Sequence, residues 1–465
     1  MRTRKHAANE HSNAARNVLS EGMYGRIFPS HLEIIPQLNE VYELALAFYE
    51  SQLLSEDDLV QNGAYFARVG KRLTRHYLMC TGEPVRLPKH SSSRLRSFFI
   101  SNQFKTGYAT HGLFPYRGKF HPQMIKALIN VMGLKPGETV LDPMMGSGTV
   151  LIEASLMGIR SIGIDASPFC RFMTQAKLDG LVISQKPLHE ALNNYEAIFN
   201  HFVETVGQSA QGSKAKSRSR GNHRGNIVRE KSAQFETRGR NQYRKIISSD
   251  DEAVYNFLLL SYLDSAGYSE RSNRKRPVEQ FQKILERYVF VVEKIQRVLE
   301  GTESELAEAR ALKGDARYLP LEDQSVDGVL FSPPYSFAID YLKNDSFHLN
   351  YLGEDISELK ESMVGLRGRG LREKYDHYIH DMNQVLFECA RVLRTGRFCT
   401  MVVGTNDRQL SKALAMPPEE VPGLHRILMD IAAKHSLTPV RQLARRISGI
   451  ANTMRDEYIL ILEKI

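Results

Sequence analysis

Ser332, Pro333, Pro334 and Tyr335 follow directly on the apolar run Val326–Phe331. A short apolar run that stops at two prolines predicts a buried strand whose chain leaves the sheet in a rigid, extended turn. A serine hydroxyl and a proline carbonyl held side by side could accept both hydrogens of an exocyclic amino group. That would draw a nitrogen otherwise delocalised into a nucleobase ring toward a nucleophilic, tetrahedral state. Tyr335 would stack on the base, which must leave a duplex to reach such a pocket. Two prolines after a strand also make ordinary loops, so the chemistry depends on what else the chain supplies.

About 190 residues upstream, Thr139–Asp142 reads as a strand running into Pro143, Met144, Met145, Gly146, Ser147, Gly148 and Thr149. The two glycines predict a turn through which backbone can approach a ligand closely. Ser147 and Thr149 are placed to cap the helix that follows. A second strand, Arg160–Asp165, ends in an acid about 20 residues past the glycines, the spacing at which a carboxylate takes ribose hydroxyls. The spaced triple glycine that brings a helix N-terminus onto a pyrophosphate is missing, which favours a ligand with adenosine but no phosphates. S-adenosylmethionine is such a ligand. A purely structural glycine turn in a parallel sheet is the alternative.

Together these residues resemble the DNA amino-methyltransferases, which pair a D-P-F-x-G-S-G-T motif with a catalytic S/D/N-P-P-Y. Asp142 to Thr149 match the first, with Met144 in place of phenylalanine, and Ser332 to Tyr335 match the second. Serine at the first catalytic position resembles the cytosine-N4 branch; adenine-N6 and RNA guanine-N2 enzymes more often carry aspartate or asparagine. His111 to Pro122, with Phe120, is similar to the family element beside the methionine end of the cofactor. Lys313 to Arg317 looks like the strand-end motif whose acid, here Asp315, faces the adenine amino group. The resemblance covers roughly residues 105 to 180 and 308 to 465.

It implies a cofactor site of Phe120, Asp142, Pro143, Gly146, Ser147, Gly148, Thr149, Asp165 and Asp315, and a catalytic turn of Ser332, Pro333, Pro334 and Tyr335. It implies S-adenosylmethionine as cofactor, no metal, DNA as partner with its target base flipped, and a separate restriction nuclease as a further partner through methylation for self-protection. Phe337 is a second candidate for stacking on the base. Asp340 and Tyr341 are either pocket residues or the start of a helix with an aromatic core residue.

The elements that must position these groups are those of an α/β doubly wound, Rossmann-like class I methyltransferase core. The short polar stretch Tyr318 to Ser325 suggests that Asp315 and Ser332 end neighbouring strands facing one cleft. Tyr378 to Leu393 has helical periodicity, Arg394 to Arg397 reads as a tight turn with one glycine for a positive φ, and Phe398 to Gly404 as a buried strand. Glu457 to Leu462 reads as the last strand, with a hairpin partner near Pro439 to Ile447.

The chain of 465 residues, 42% hydrophobic, is long enough for one large domain with appendages or for two domains. A net charge of +9 favours a polyanionic partner. Cys80, Cys170, Cys389 and Cys399 have no paired spacing, which argues against a disulfide framework or zinc site. No cysteine follows a proline, as a cytosine-C5 methyltransferase would need. No apolar run could span a membrane and the basic N-terminus leads into polar residues, so a cytoplasmic location is expected.

Four regions are expected. Residues 1–105 read as mainly helical, with Leu38 to Tyr49 at helical spacing and Tyr65 to Met79 as an amphipathic helix turning Arg68, Lys71, Arg72 and Arg75 to solvent. The cofactor-binding half spans 106–180, an insertion 181–307, and the catalytic half 308–465. Within the insertion, Pro187 to Phe202 and Val278 to Leu299 read as helices around a basic loop at about 206–247. Gln211 to Lys245 carries eleven Lys or Arg against Glu230 and Glu236, a composition that favours disorder and contact with phosphates. A solvated basic linker is the alternative.

The expected reaction is transfer of methyl to the N4 amino group of cytosine in DNA, by positioning and in-line displacement. The same chemistry on adenine N6 or on an RNA amino group stays open, as does a nucleic-acid-binding protein that keeps the fold without turnover.

Overall fold

The structure, a computed structural model, describes residues 25–35, 38, 40–81, 85, 107–116, 118–215, 246, 247, 249, 251–271, 276–300, 305–334, 341–446 and 456–465. Among the described residues of the N-terminal region, helices are accompanied by a small sheet. Strands β1 (Leu32–Ile34), β2 (Phe66–Val69) and β3 (Arg72–Leu73) form an antiparallel sheet beside helices α1 (Val41–Leu53), α2 (Glu56–Asn62) and α3 (Arg75–Cys80). The helix expected over Tyr65 to Met79 is therefore a hairpin followed by one short helix. Gly70 at φ +59 makes the turn that a continuous helix could not contain, and Val69 pairs with Arg72 across it. Arg75 is 2% exposed rather than solvent-facing, and it donates to Asn62 Oδ1 at 2.9 Å and to the Leu156 carbonyl.

The central sheet runs β6-β5-β4-β7-β8-β10-β9, built from β4 (Thr139–Asp142), β5 (Arg160–Asp165), β6 (Ala309–Lys313), β7 (Val326–Phe331), β8 (Leu393–Gly404), β9 (Leu437–Arg446) and β10 (Asp456–Lys464). The first five are parallel, and β10 lies antiparallel between β8 and β9. This is the doubly wound α/β core, and its strand order reverses between β4 and β7. Ligands bind at such a reversal, outside the carboxyl ends of the strands. Every residue of β7 is buried, as expected of a strand covered on both faces; the run is apolar except for Asp327, whose carboxylate accepts the Thr139 N–H and pairs with Arg394.

Asp315 and Ser332 do not end neighbouring strands, because β5 and β4 stand between β6 and β7. The polar stretch before β7 carries the chain from the edge strand β6 to the middle of the sheet beside β4, and all five parallel strands still open toward one side. The turn expected at Arg394 to Arg397 lies within β8. Register jumps from Val326 opposite Leu393 to Gly328 opposite Phe398, so the extra residues bulge out with Gly396 at φ +75.

Helices α4 (Pro122–Val131), α5 (Thr149–Leu156) and α6 (Pro168–Asp179) belong to the first half of the core. In the insertion, α7 (Gln185–Asn193), α8 (Tyr195–Ala215) and α10 (Pro277–Glu300) match the expected helical flanks, and α9 (Glu252–Arg271) is an additional one. The basic run beyond Ala215 falls largely outside the described residues. Helices α11 (Tyr341–Tyr351), α12 (Ile356–Ser362), α13 (Leu371–Val392), α14 (Asp407–Leu414) and α15 (Leu424–Ala433) complete the chain.

Three apolar clusters hold these layers. One joins Tyr42, Leu46 and Phe66 of the N-terminal region to Leu128, Ile152 and Val140, so that region packs onto the same core as the sheet. The second lies in the insertion and reaches Phe169 and Leu349. The third lies under α13, with Val329, Tyr378 and Leu386. Among the described residues no helix is long and apolar enough to cross a membrane.

Candidate active site

Where the strand order reverses, the carboxyl ends of the parallel strands line a cleft. Its lining includes Phe120, Pro143, Gly146, Ser147, Thr149, Asp165 and Asp315, together with Ser332, Pro333 and Pro334. Residues expected about 190 positions apart in sequence thus share one space. Tyr335, Phe337 and Asp340 lie outside the described residues.

The glycine turn is held from behind. Gly146 and Gly148 take φ +48 and +76, and a Cβ on Gly148 would sit 2.4 Å from Thr174 Cγ2. Thr174 Oγ1 donates to the Gly146 carbonyl at 3.1 Å, and the buried Lys177 Nζ to the Ser147 carbonyl at 3.4 Å. With those carbonyls turned to α6, the opposite side of the turn is left to a ligand. Neither Thr174 nor Lys177 was visible as a site residue, because nothing in the sequence aligns α6 with the turn.

The hydroxyl cap expected of Ser147 or Thr149 is not made. The N-cap of α5 is Gly148, left-handed and without a side-chain cap, and the two hydroxyls stand 3.4 Å from each other. A side-chain cap needs an extended N-cap residue carrying an oxygen, and the close packing against Thr174 admits only glycine. Asp142 and Gly148 are not part of the cleft lining. Asp142 is fully buried behind it, where one oxygen accepts the Met144 N–H at 3.0 Å and burial pushes its carboxyl well up.

Asp165 reaches the cleft from the end of β5. Its oxygens accept the Gly146 N–H at 2.9 Å and the Ser167 N–H at 2.8 Å, while burial pushes its carboxyl up to about 6. Each oxygen keeps a further lone pair, so hydroxyl donors from a ligand would stabilise the ionised form. At the end of β6, Asp315 accepts a guanidinium fork from Arg317 at 2.9 and 2.6 Å. Arg317 also pairs with the buried Asp381 at 3.0 Å, and Asp381 in turn with Arg367.

The residues present fit the adenosine moiety of S-adenosylmethionine: hydroxyl and amino donors meet carboxylates, and a pyrophosphate would be repelled by the same two acids. Both lie at positions where strand ends open to the cleft.

Ser332 sits at the end of β7, and its hydroxyl donates to the Val402 carbonyl of β8 at 2.9 Å. With its proton committed to the backbone, the oxygen faces any incoming group as an acceptor. The neighbouring Pro334 lies against Gly365, whose Cβ position is 4.0 Å from the proline Cβ.

A buried polar cluster that composition did not disclose lies under α5. Glu153 accepts from Tyr108 OH at 2.5 Å and bonds His111 Nε2 at 2.7 Å, with Lys126 Nζ at 3.5 Å. Burial alone would raise the Glu153 carboxyl, but Lys126 and His111 hold it down to about 2. Burial also lowers Lys126, and it pushes His111 down to about 4. This cluster ties the 3-10 turn Ala109–Gly112 and α4 to the helix that follows the glycine turn.

The sequence model of the RMKL-like methyltransferase domain matches residues 113–346, half of the chain. A DNA methylase model matches residues 43–175. The type II methyltransferase M.BsoBI of Geobacillus stearothermophilus is 24% identical over 304 residues, 56% of each chain. M.AvaI of Nostoc is 23% identical over 388 residues, 76% of this chain and 75% of that one. The tRNA (guanine(10)-N2)-dimethyltransferase of Methanothermobacter thermautotrophicus is 44% identical over 52 residues, 11% of this chain and 16% of that one. The chain spans little more than half the length of M.BsoBI. The chain belongs to the RMKL-like methyltransferase-domain family, and within that family it resembles the DNA amino-methyltransferases.

Proposed function

We propose that the protein transfers a methyl group from S-adenosylmethionine to the N4 amino group of cytosine in DNA. The observation that carries this reading is Ser332, whose hydroxyl is turned into an acceptor by Val402 in the same cleft that presents Asp165 and Asp315. When bound, S-adenosylmethionine supplies an electrophilic methyl group on a sulfonium.

The chain's own residues do the rest. Asp165 and Asp315 orient the nucleoside end, the glycine turn and Phe120 enclose the remainder, and Pro143, Ser147 and Thr149 complete the wall. Ser332 Oγ and the Pro333 carbonyl accept the amino hydrogens and fix the lone pair toward the cofactor side of the cleft. Pro334 stiffens the turn, and Tyr335 stacks on the extruded base. No general base of high strength is required, since the proton is acidic once the nitrogen is alkylated.

A second reading, the same chemistry on an amino group in structured RNA, is favoured by the matches to archaeal tRNA (guanine(10)-N2)-dimethyltransferases. Incubation with tritiated S-adenosylmethionine separates the two. Counts in DNA that vanish with Ser332→Ala support the first reading, counts in RNA alone support the second, and counts in neither overturn both.

A further inference from the structure

A further part of the wall of the cleft is Ser362, Met363 and Val364, the end of α12 and the residues after it. The chain leaves that wall at Gly365, against Pro334 of the catalytic turn, and then runs Leu366-Arg367-Gly368-Arg369-Gly370-Leu371-Arg372-Glu373-Lys374. Four cations and one acid fall in the eight residues from Arg367 to Lys374. The segment is fixed at both sides. Arg367 pairs with the buried Asp381, which also takes Arg317 and so connects with Asp315 in the cleft. Gly368 has φ +103, and a Cβ there would meet Lys374 N at 2.9 Å, so the turn is packed against the start of α13.

Beyond that turn Arg369 and Arg372 are exposed. The Arg369 backbone N–H donates to Glu373 at 2.9 Å, while among the described residues no carboxylate pairs with its guanidinium. Arg372 makes an exposed pair with Asp376, worth little and readily exchanged, and its guanidinium lies 6.0 Å from the centre of the Tyr375 ring. A base entering the cleft brings its flanking phosphates to the rim, where two carboxylates inside the cleft would otherwise oppose a polyanion. Fixed cations at that rim would neutralise the phosphates.

Resting on the nucleic-acid reading above, we propose that Arg369 and Arg372 form a phosphate-binding rim that holds duplex DNA beside the catalytic turn.

Fluorescence anisotropy with a labelled DNA duplex across a potassium chloride series tests this, with S-adenosylhomocysteine affinity as the control for folding. Arg369→Gln/Arg372→Gln should weaken DNA binding about tenfold at low salt and reduce the log–log salt slope by about two, leaving S-adenosylhomocysteine affinity unchanged. Arg369→Lys/Arg372→Lys should keep the slope. An unchanged slope in the glutamine variant overturns the rim alone. Absence of salt-dependent DNA binding by the wild type overturns both the rim and the DNA reading, and a slope change seen only with RNA overturns the DNA assignment.

Discussion

Asp165 accepts the Gly146 N–H at 2.9 Å, which ties the carboxyl end of β5 to the turn that follows β4. One carboxylate therefore shapes the glycine turn and also lines the cleft. Its two jobs have separate consequences when it is changed or titrated.

Asp165→Asn replaces an anionic acceptor by an amide that can keep only one of the two backbone bonds. A hydrogen bond to a charged group contributes about 1.5–3 kcal/mol, so S-adenosylhomocysteine affinity measured by calorimetry should fall about tenfold to a hundredfold. Because burial raises the wild-type carboxyl to about 6, cofactor affinity should also decline as pH falls through that value, where the acceptor is lost. Equal affinity in the asparagine variant would contradict the role assigned to Asp165.

Asp345, on α11, is 8% exposed, and burial together with the nearby Asp165 pushes its carboxyl up to about 7. A raised acid pKa means that the folded state binds the proton more tightly than the unfolded chain. Ionised Asp345 therefore costs stability at pH 8, and the cost disappears as pH falls below the ordinary aspartate value. Asp345→Asn should stabilise the ligand-free protein at pH 8 by on the order of 3 kcal/mol and make little difference at pH 4, as read by thermal melting at both values. A pH-independent effect would contradict this account.

Glu153→Gln leaves the fully buried Lys126 without its carboxylate. Breaking one side of a buried pair costs about 3–5 kcal/mol, and urea denaturation at pH 7 should show a loss of that size. Glu153→Gln/Lys126→Met should recover part of it, since neither charge is then stranded. The wild-type acid is held down to about 2, so its contribution is present above ordinary glutamate values and disappears only as pH falls through about 2. A double variant no better than the single one would contradict the pairing.

Much of the core was legible because its strands are bounded by unambiguous punctuation. Thr139–Asp142 ends at a proline and two glycines, Val326–Phe331 at two prolines, and Arg160–Asp165 at a short loop, and each coincides with a strand of the structure. The last hairpin was legible from the apolar run Tyr458 to Leu462, with β10 paired to β9 as expected.

Periodicity misled where tertiary contacts outweighed it. Tyr65 to Met79 carries a helix-like spacing, but Gly70 turns the chain and Arg75 is drawn inward by Asn62 and Leu156. Strand neighbours were not legible either, because the order β6-β5-β4-β7 depends on crossovers rather than on spacing. The groups that support the cleft, Thr174, Lys177, Val402 and Asp381, carry no motif. They act through contacts 28 to 70 residues distant along the chain.

Mass spectrometry of nucleosides from DNA methylated in vitro with isotopically labelled S-adenosylmethionine tests the central claim most directly. Labelled N4-methylcytosine from the wild type, lost with Ser332→Ala while S-adenosylhomocysteine still binds, is the predicted result. Labelled N6-methyladenine, or N4-methylcytosine formed equally well by Ser332→Ala, would contradict it.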